Sequence, residues 1–107
     1  MAHDEVGGAG LPQERRIVTA IPGPRSQELE ARRKRAVAPG VASSMPAYVV
    51  AAGGGILRDA DGNQIIDLGS GIAVTTAGNA NPRVVARAQE QLAAFTHTCF
   101  MVNPYES

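Results

Sequence analysis

The hydrophobic pattern is clearest near the end of the chain. Val85, Ala88, Leu92 and Phe95 fall at i, i+3, i+7 and i+10, one face of a helix, while Arg83, Arg87 and Glu90 take the other side. Asn81 can cap such a helix and Pro82 suits its first position, so the spacing predicts a helix beginning there. Residues 26–38 read as an earlier helix. Glu28 and Glu30 sit early and Arg32, Arg33, Lys34 and Arg35 late, which complements the helix dipole. Glu28 precedes Arg32 by four positions, and Glu30 likewise precedes Lys34, the favourable order for ion pairs. Pro22-Gly23-Pro24 breaks regular structure before this helix and Pro39-Gly40 ends it.

Between the two helices the pattern turns to strands. Residues 47–51, AYVVA, are rich in β-formers. Gly53-Gly54-Gly55 turns the chain, and residues 55–59 and 64–68 make a hairpin around Asp61-Gly62-Asn63. Three short strands in an antiparallel meander follow. The stretch 59–82 organises the whole: hairpin turn, apolar pair Ile65-Ile66, the acid Asp67, a small-residue segment through Val74, then the helix start. It reads as a strand running into a glycine-lined wall, with a hairpin and flexible connector as the alternative. Residues 96–102, THTCFMV, read as a short buried strand or coil. Asn103-Pro104-Tyr105-Glu106 repeats the cap-then-proline start, with Glu106 placed as in a capping box. A helix is announced there and the sequence stops, which reads as a truncation.

Composition narrows the class. With 107 residues and 44% hydrophobic content, the chain is one small domain or part of a larger one. Only 4% is aromatic and Trp is absent, so large side chains for an independent core are scarce. Lys+Arg and Asp+Glu are both 10, so net charge points to neither nucleic acid nor membrane. The opening MAHDEVGGAG lacks the basic and apolar regions of a signal peptide, and no run approaches the ~18 apolar residues of a membrane span. Residues 1–12 read as a mobile tail.

Several candidate chemistries fail on spacing. Asp59, Asp61 and Asn63 resemble a calcium loop, but Gly62 precedes Asn63 and no glutamate closes the loop. Neither glycine cluster completes a nucleotide-binding fingerprint. The single Cys99 has no disulfide partner within the chain and fits a reducing, cytoplasmic setting. His97 would share its strand face, but a nucleophile pair needs a third, orienting group. The basic cluster on residues 26–38 lacks interleaved aromatics and reads as a solvated helix face.

The segments GGGILRDADGNQIIDLGSGIAVTTAGNANPRVV and FTHTCFMVNPYES together resemble the amino-terminal region of class III pyridoxal-phosphate aminotransferases. The D-x-D-G-N…D-x-x-x-G-I-A-V…G-x-x-x-P-x-V pattern marks the class. FTHTCFMVNPYE and the opening IPGPRSQELEARR are similar to its 4-aminobutyrate branch. The resemblance spans nearly all of residues 14–107.

It implies an α/β chain, the amino-terminal part of a fold-type-I transferase. Residues 13–107 would supply a small-domain segment and the start of the large domain, without that domain's parallel sheet. The implied reaction takes 4-aminobutyrate and 2-oxoglutarate to succinate semialdehyde and glutamate, with pyridoxal 5'-phosphate as cofactor, in a homodimer. Ile72 matches a position that packs against substrate. Met101 sits where several members carry a glutamine near it. No catalytic or cofactor-binding residue of the family matches a position here, and its lysine role does not transfer to Lys34. Two alternatives stand beside this: another ω-amino acid donor, or a non-catalytic interaction fragment using helix 26–38.

Overall fold

Leu11 and Ile56 are the buried hydrophobic residues among those described in the computed structural model, which covers residues 8–106. The other buried side chains are polar: Ser26, Asp59, Asn63 and Gln64. The radius of gyration is 17.2 Å. A compact chain of this length would have about 13 Å. The segment is therefore elongated and ordered mainly by hydrogen bonds around a small sheet.

A 3-10 turn, Gly8–Gly10, precedes α1 (Pro24–Ala36), β1 (Val49–Gly53), β2 (Ile56–Asp59), β3 (Gln64–Ile66), α2 (Ser70–Ala73) and α3 (Pro82–Ala94). The sheet has the order β1-β2-β3 and both pairings are antiparallel. Ile56 pairs with Gly53 on one side and Ile66 on the other. The helix, three-stranded meander and helix expected from the sequence are all present. β1 runs two residues later than expected because Gly53 belongs to the strand. A Cβ there would lie 2.1 Å from the Gly8 carbonyl oxygen, so only glycine permits the 3-10 turn to pack so closely. The part of the expected tail that is described is thus packed on the sheet from Gly8, with Leu11 buried; residues 1–7 lie outside the described residues. Arg16 extends the sheet by an isolated bridge to Gln64, whose Nε2 donates to the carbonyls of Pro12 and Glu14.

The hairpin turn is a polar knot. Asp59 accepts the N–H groups of Asp61 (3.0 Å) and Asn63 (2.8 Å) and the Asn63 amide (2.8 Å). Asn63 Oδ1 in turn accepts the N–H groups of Val18 and Thr19. Asp61 accepts the N–H of Arg25 at 2.7 Å and of Ser26 at 2.9 Å. These are orphan donors of the first turn of α1, which Gly23 itself leaves uncapped by any side chain. This remote cap explains why α1 begins at Pro24, before residue 26. α1 stops at Ala36, short of residue 38, with Val37 extended; Pro39 disfavours helix at the residue before it. Glu30 pairs with Lys34 at 3.7 Å as expected. Glu28 pairs with Arg25 instead of Arg32, because the earlier start places Arg25 on the helix.

α3 starts as predicted, with Asn81 Oδ1 accepting the N–H of Arg83 at 3.0 Å. Among the described residues its apolar face meets Tyr105 at Phe95 and no continuous opposing layer, and Val84, Val85 and Leu92 are exposed. The expected burial of residues 96–102 is not found: the segment is irregular, and Phe100, Met101 and Val102 are exposed for the same reason. Residues 103–106 form no helix, and Ser107 lies outside the described residues. No helix among the described residues is long and apolar enough to cross a membrane.

Candidate functional site

β3 ends where Asp67 turns the chain out of the sheet. Its N–H donates to the Gly55 carbonyl at 2.9 Å, and its Oδ1 accepts the N–H of Ser70 at 2.8 Å. Four consecutive residues starting at Ser70 are left-handed: Ser70, Gly71, Ile72 and Ala73 have φ of 48°, 61°, 64° and 61°. The turn closes on itself through Ala73 N–H to the Gly69 carbonyl (3.1 Å) and Val74 N–H to the Ser70 carbonyl (2.7 Å). L-residues pay roughly 1–2 kcal/mol each in this region, and only Gly71 escapes. For a β-branched isoleucine it is a marked outlier. The consequence is that Ile72 projects fully outward, 94% exposed. Strain of this kind persists where the surroundings over-determine it, and it clusters at functional sites.

The surroundings are visible. At the far end of the loop, Gly54 and Asn79 exchange both backbone hydrogen bonds at 2.8 Å. Asn79 Nδ2 donates to Asp67 Oδ2 at 3.1 Å. Both ends of the loop are therefore held on the β1–β2 turn and tied to each other. The small-residue segment singled out in the sequence forms this pinned loop, and α2 is its left-handed turn.

Met101 lies on the second candidate segment. After α3 the chain folds around Tyr105, whose ring meets Phe95 edge-on at 5.1 Å and Phe100 at 5.8 Å. Cys99, with φ of 54°, reverses the chain and accepts the N–H groups of Val102 and Asn103 through its carbonyl. Met101 sits at the tip, 92% exposed. The reversal means that His97 and Cys99 do not share a strand face. Among the described residues no hydrogen bond joins them.

Ile72 and Met101 thus stand on two separate exposed segments. An open groove of about 890 Å³ runs along α3, its lining including Asn81, Arg83, Val84, Arg87, Ala88 and Tyr105. Neither Ile72 nor Met101 lines it. Sequence reasoning did not find Asp67 and Asn79 as the loop's supports. Asp67-x-x-Ser70 has the spacing of a side-chain-capped turn, but Asn79 carries no local signal.

Several charged residues are engaged in structural contacts. Glu30 receives a bidentate pair from Arg33 (2.8 and 2.9 Å) and the Tyr48 hydroxyl at 2.5 Å. The Arg33 and Tyr48 hydrogen bonds hold its carboxyl down at about 2. The Tyr48 hydroxyl is pushed up by the same bond to Glu30. Arg33 also donates to the Val41 carbonyl, so one member of the basic cluster is turned inward to fold the α1–β1 connection. Asp59 and Asp61 point their oxygens at N–H groups, which leaves the hairpin as a turn and not a cation loop.

The amine required to hold a pyridoxal cofactor is not provided by this segment. Lys34 is the one lysine of the sequence. It lies on α1 beside Glu30 with its side chain 69% exposed, on the wall of a half-open depression of about 300 Å³ with Pro22, Gln27 and Pro46. These residues do not fit the cofactor.

The 4-aminobutyrate aminotransferase of Mycobacterium tuberculosis is 62% identical over 98 residues, 92% of this chain and 22% of the relative. That of Mycobacterium leprae is 56% identical over 96 residues, 90% of this chain and 22% of the relative. The 5-aminovalerate aminotransferase DavT of Pseudomonas putida is 42% identical over 81 residues, 76% of this chain and 19% of the relative. The chain spans about a fifth of the length of the curated relatives it matches. A profile of the family described as Aminotransferase class-III matches residues 37–107, most of the chain, and the chain belongs to that family.

Proposed function

We propose that these residues form the amino-terminal part of a pyridoxal-phosphate-dependent ω-aminotransferase that uses 4-aminobutyrate as amino donor and 2-oxoglutarate as acceptor. The products are succinate semialdehyde and glutamate. The observation that carries this reading is the 62% identity to a mycobacterial 4-aminobutyrate aminotransferase across nearly the whole segment. Residues 13–107 contribute a small-domain segment and the start of the large domain. The remainder of the polypeptide supplies the amine that holds pyridoxal 5'-phosphate, the carboxylate that keeps its ring nitrogen protonated and the cation for the substrate carboxylate. The complete protein works as a cytoplasmic homodimer.

The part of this segment in the site is a wall. Ile72, offered to the outside by its left-handed turn, packs on the aliphatic chain of the donor. Met101 adds an adaptable apolar surface near it. Both are bare in the segment alone, as surfaces awaiting substrate and neighbouring chain would be.

The test uses the full-length polypeptide carrying this segment. Incubated with pyridoxal phosphate, it should acquire a visible cofactor absorbance that 4-aminobutyrate bleaches. With 2-oxoglutarate it should then form glutamate. A protein without the absorbance overturns the reading. One that ignores 4-aminobutyrate and uses another ω-amino acid removes the named donor. Residues 1–107 alone should do neither.

A further inference from the structure

The structure assigns Asp67 a positioning role: its carboxylate bridges the two ends of the 68–78 loop, holds the left-handed turn that presents Ile72, and thereby governs chain-length preference among ω-amino donors. The substrate part rests on the function proposed above.

The two carboxylate oxygens have separate tasks. Oδ1 accepts the N–H of Ser70, the first left-handed residue, at 2.8 Å. Oδ2 accepts Asn79 Nδ2, at the loop's other end, at 3.1 Å. Among the described residues no cation pairs with Asp67. Its charge is therefore directed wholly to neutral donors of the loop, and such charge-assisted bonds are about twice as strong as neutral ones. The backbones on either side are already fixed, Asp67 N–H on the Gly55 carbonyl and Asn79 paired with Gly54. What remains free is the arc between them, where three non-glycine residues hold a conformation they disfavour. Without the carboxylate, Ser70 and Ile72 can relax to ordinary dihedrals and the Ile72 side chain moves. A hydrophobic wall discriminates donors differing by one methylene by about 10–200-fold, and that discrimination depends on where the wall stands.

The experiment compares wild type, Asp67→Asn, Asn79→Ala and the double variant Asp67→Asn/Asn79→Asp in the full-length polypeptide. Asp67→Asn keeps an acceptor for Ser70 but turns an NH₂ toward that of Asn79. The double variant reverses donor and acceptor and restores the bond between positions 67 and 79, without the 3.3 Å bond from position 79 to the Gly54 carbonyl. Hydrogen exchange of the amides of residues 72–75 reports the turn without reference to activity. The ratio of kcat/KM for 4-aminobutyrate to that for 5-aminovalerate reports the wall. Asp67→Asn should speed exchange and shift the ratio by about tenfold, with cofactor absorbance unchanged. Asn79→Ala, which removes the Oδ2 donor and the longer 3.3 Å bond from Asn79 Nδ2 to the Gly54 carbonyl, should shift both in the same direction by less. The double variant should return both toward wild type. Unchanged exchange in Asp67→Asn and Asn79→Ala overturns the proposal, as does equal loss with both donors that the double variant does not rescue. If wild type uses neither donor, the functional reading and the substrate part fail together, and exchange alone decides whether Asp67 holds the turn.

Discussion

The carboxylate of Asp61 accepts the backbone N–H of Ser26 at 2.9 Å, across thirty-five positions of chain. A turn residue of the hairpin thereby caps a helix to which it does not belong. Gly23 sits between them; a Cβ there would fall 2.4 Å from Asp61 Cγ. Gly23→Ala is therefore expected to push the carboxylate off the helix and cost roughly 1–3 kcal/mol. Asp61→Ala should act on the same contact. The two changes combined should cost less than their sum, because they break one interaction. Denaturant unfolding of the full-length polypeptide measures this cycle, and additive losses would separate the residues.

Acid should loosen the α1–β1 connection through Glu30. Its carboxyl is lowered from an ordinary 4.5 to about 2. A depressed carboxylate contributes stability above the unfolded value and loses it as pH falls through the folded one. The contact with Arg33 and Tyr48 should thus be complete above pH 4.5 and dissolve between there and about 2. Glu30→Gln should remove that dependence. Tyr48 ring resonances followed by NMR against pH would show it, and a midpoint near 4.5 would refute the hold on Glu30.

The isolated 107-residue chain should unfold without a sharp transition. Leu11 and Ile56 are too little apolar burial to drive a cooperative step. A small hairpin sheet is marginal in water. Near-UV and far-UV melts should be broad and should not coincide. A single coincident transition would contradict this.

Ile72→Ser in the full-length polypeptide should alter preference between 4-aminobutyrate and 5-aminovalerate by about tenfold, the scale of one methylene's discrimination. Pyridoxal phosphate affinity should stay within about threefold, well under that shift. Equal losses in both would remove Ile72 from the substrate wall.

Local signals explain which elements were legible. Asp61-Gly62-Asn63 marked the hairpin, and Asn81-Pro82 with the apolar spacing of Val85 and Leu92 marked α3. The first turn of α1 was not legible, because its cap arrives from Asp61 and no local pattern records that. Leu11 gave no sign of burial; one apolar residue among glycine and proline has no period. Residues 96–102 looked buried by composition, but burial needs an opposing layer; among the described residues Phe100 meets one edge of Tyr105 and stays exposed, and Met101 is exposed at the tip. The class came through resemblance. The left-handed turn at Ile72 was not legible, since Ser70, Ile72 and Ala73 are residues that ordinarily avoid positive φ, and Asn79, which bonds to Asp67 at the loop's base, lies beyond any local window.

The polar interior of the hairpin has a calorimetric consequence. Apolar surface exposed on melting raises the heat capacity and polar surface lowers it; ordinary domains gain about 12–15 cal/mol/K per residue. Opening this knot exposes Asp59, Asn63, Gln64 and Ser26 together with two aliphatic side chains. Its heat-capacity increment should fall below that range, so its melting enthalpy changes little with temperature. The order around Asn63 should then resist cooling, where a fold held by oily contacts would weaken.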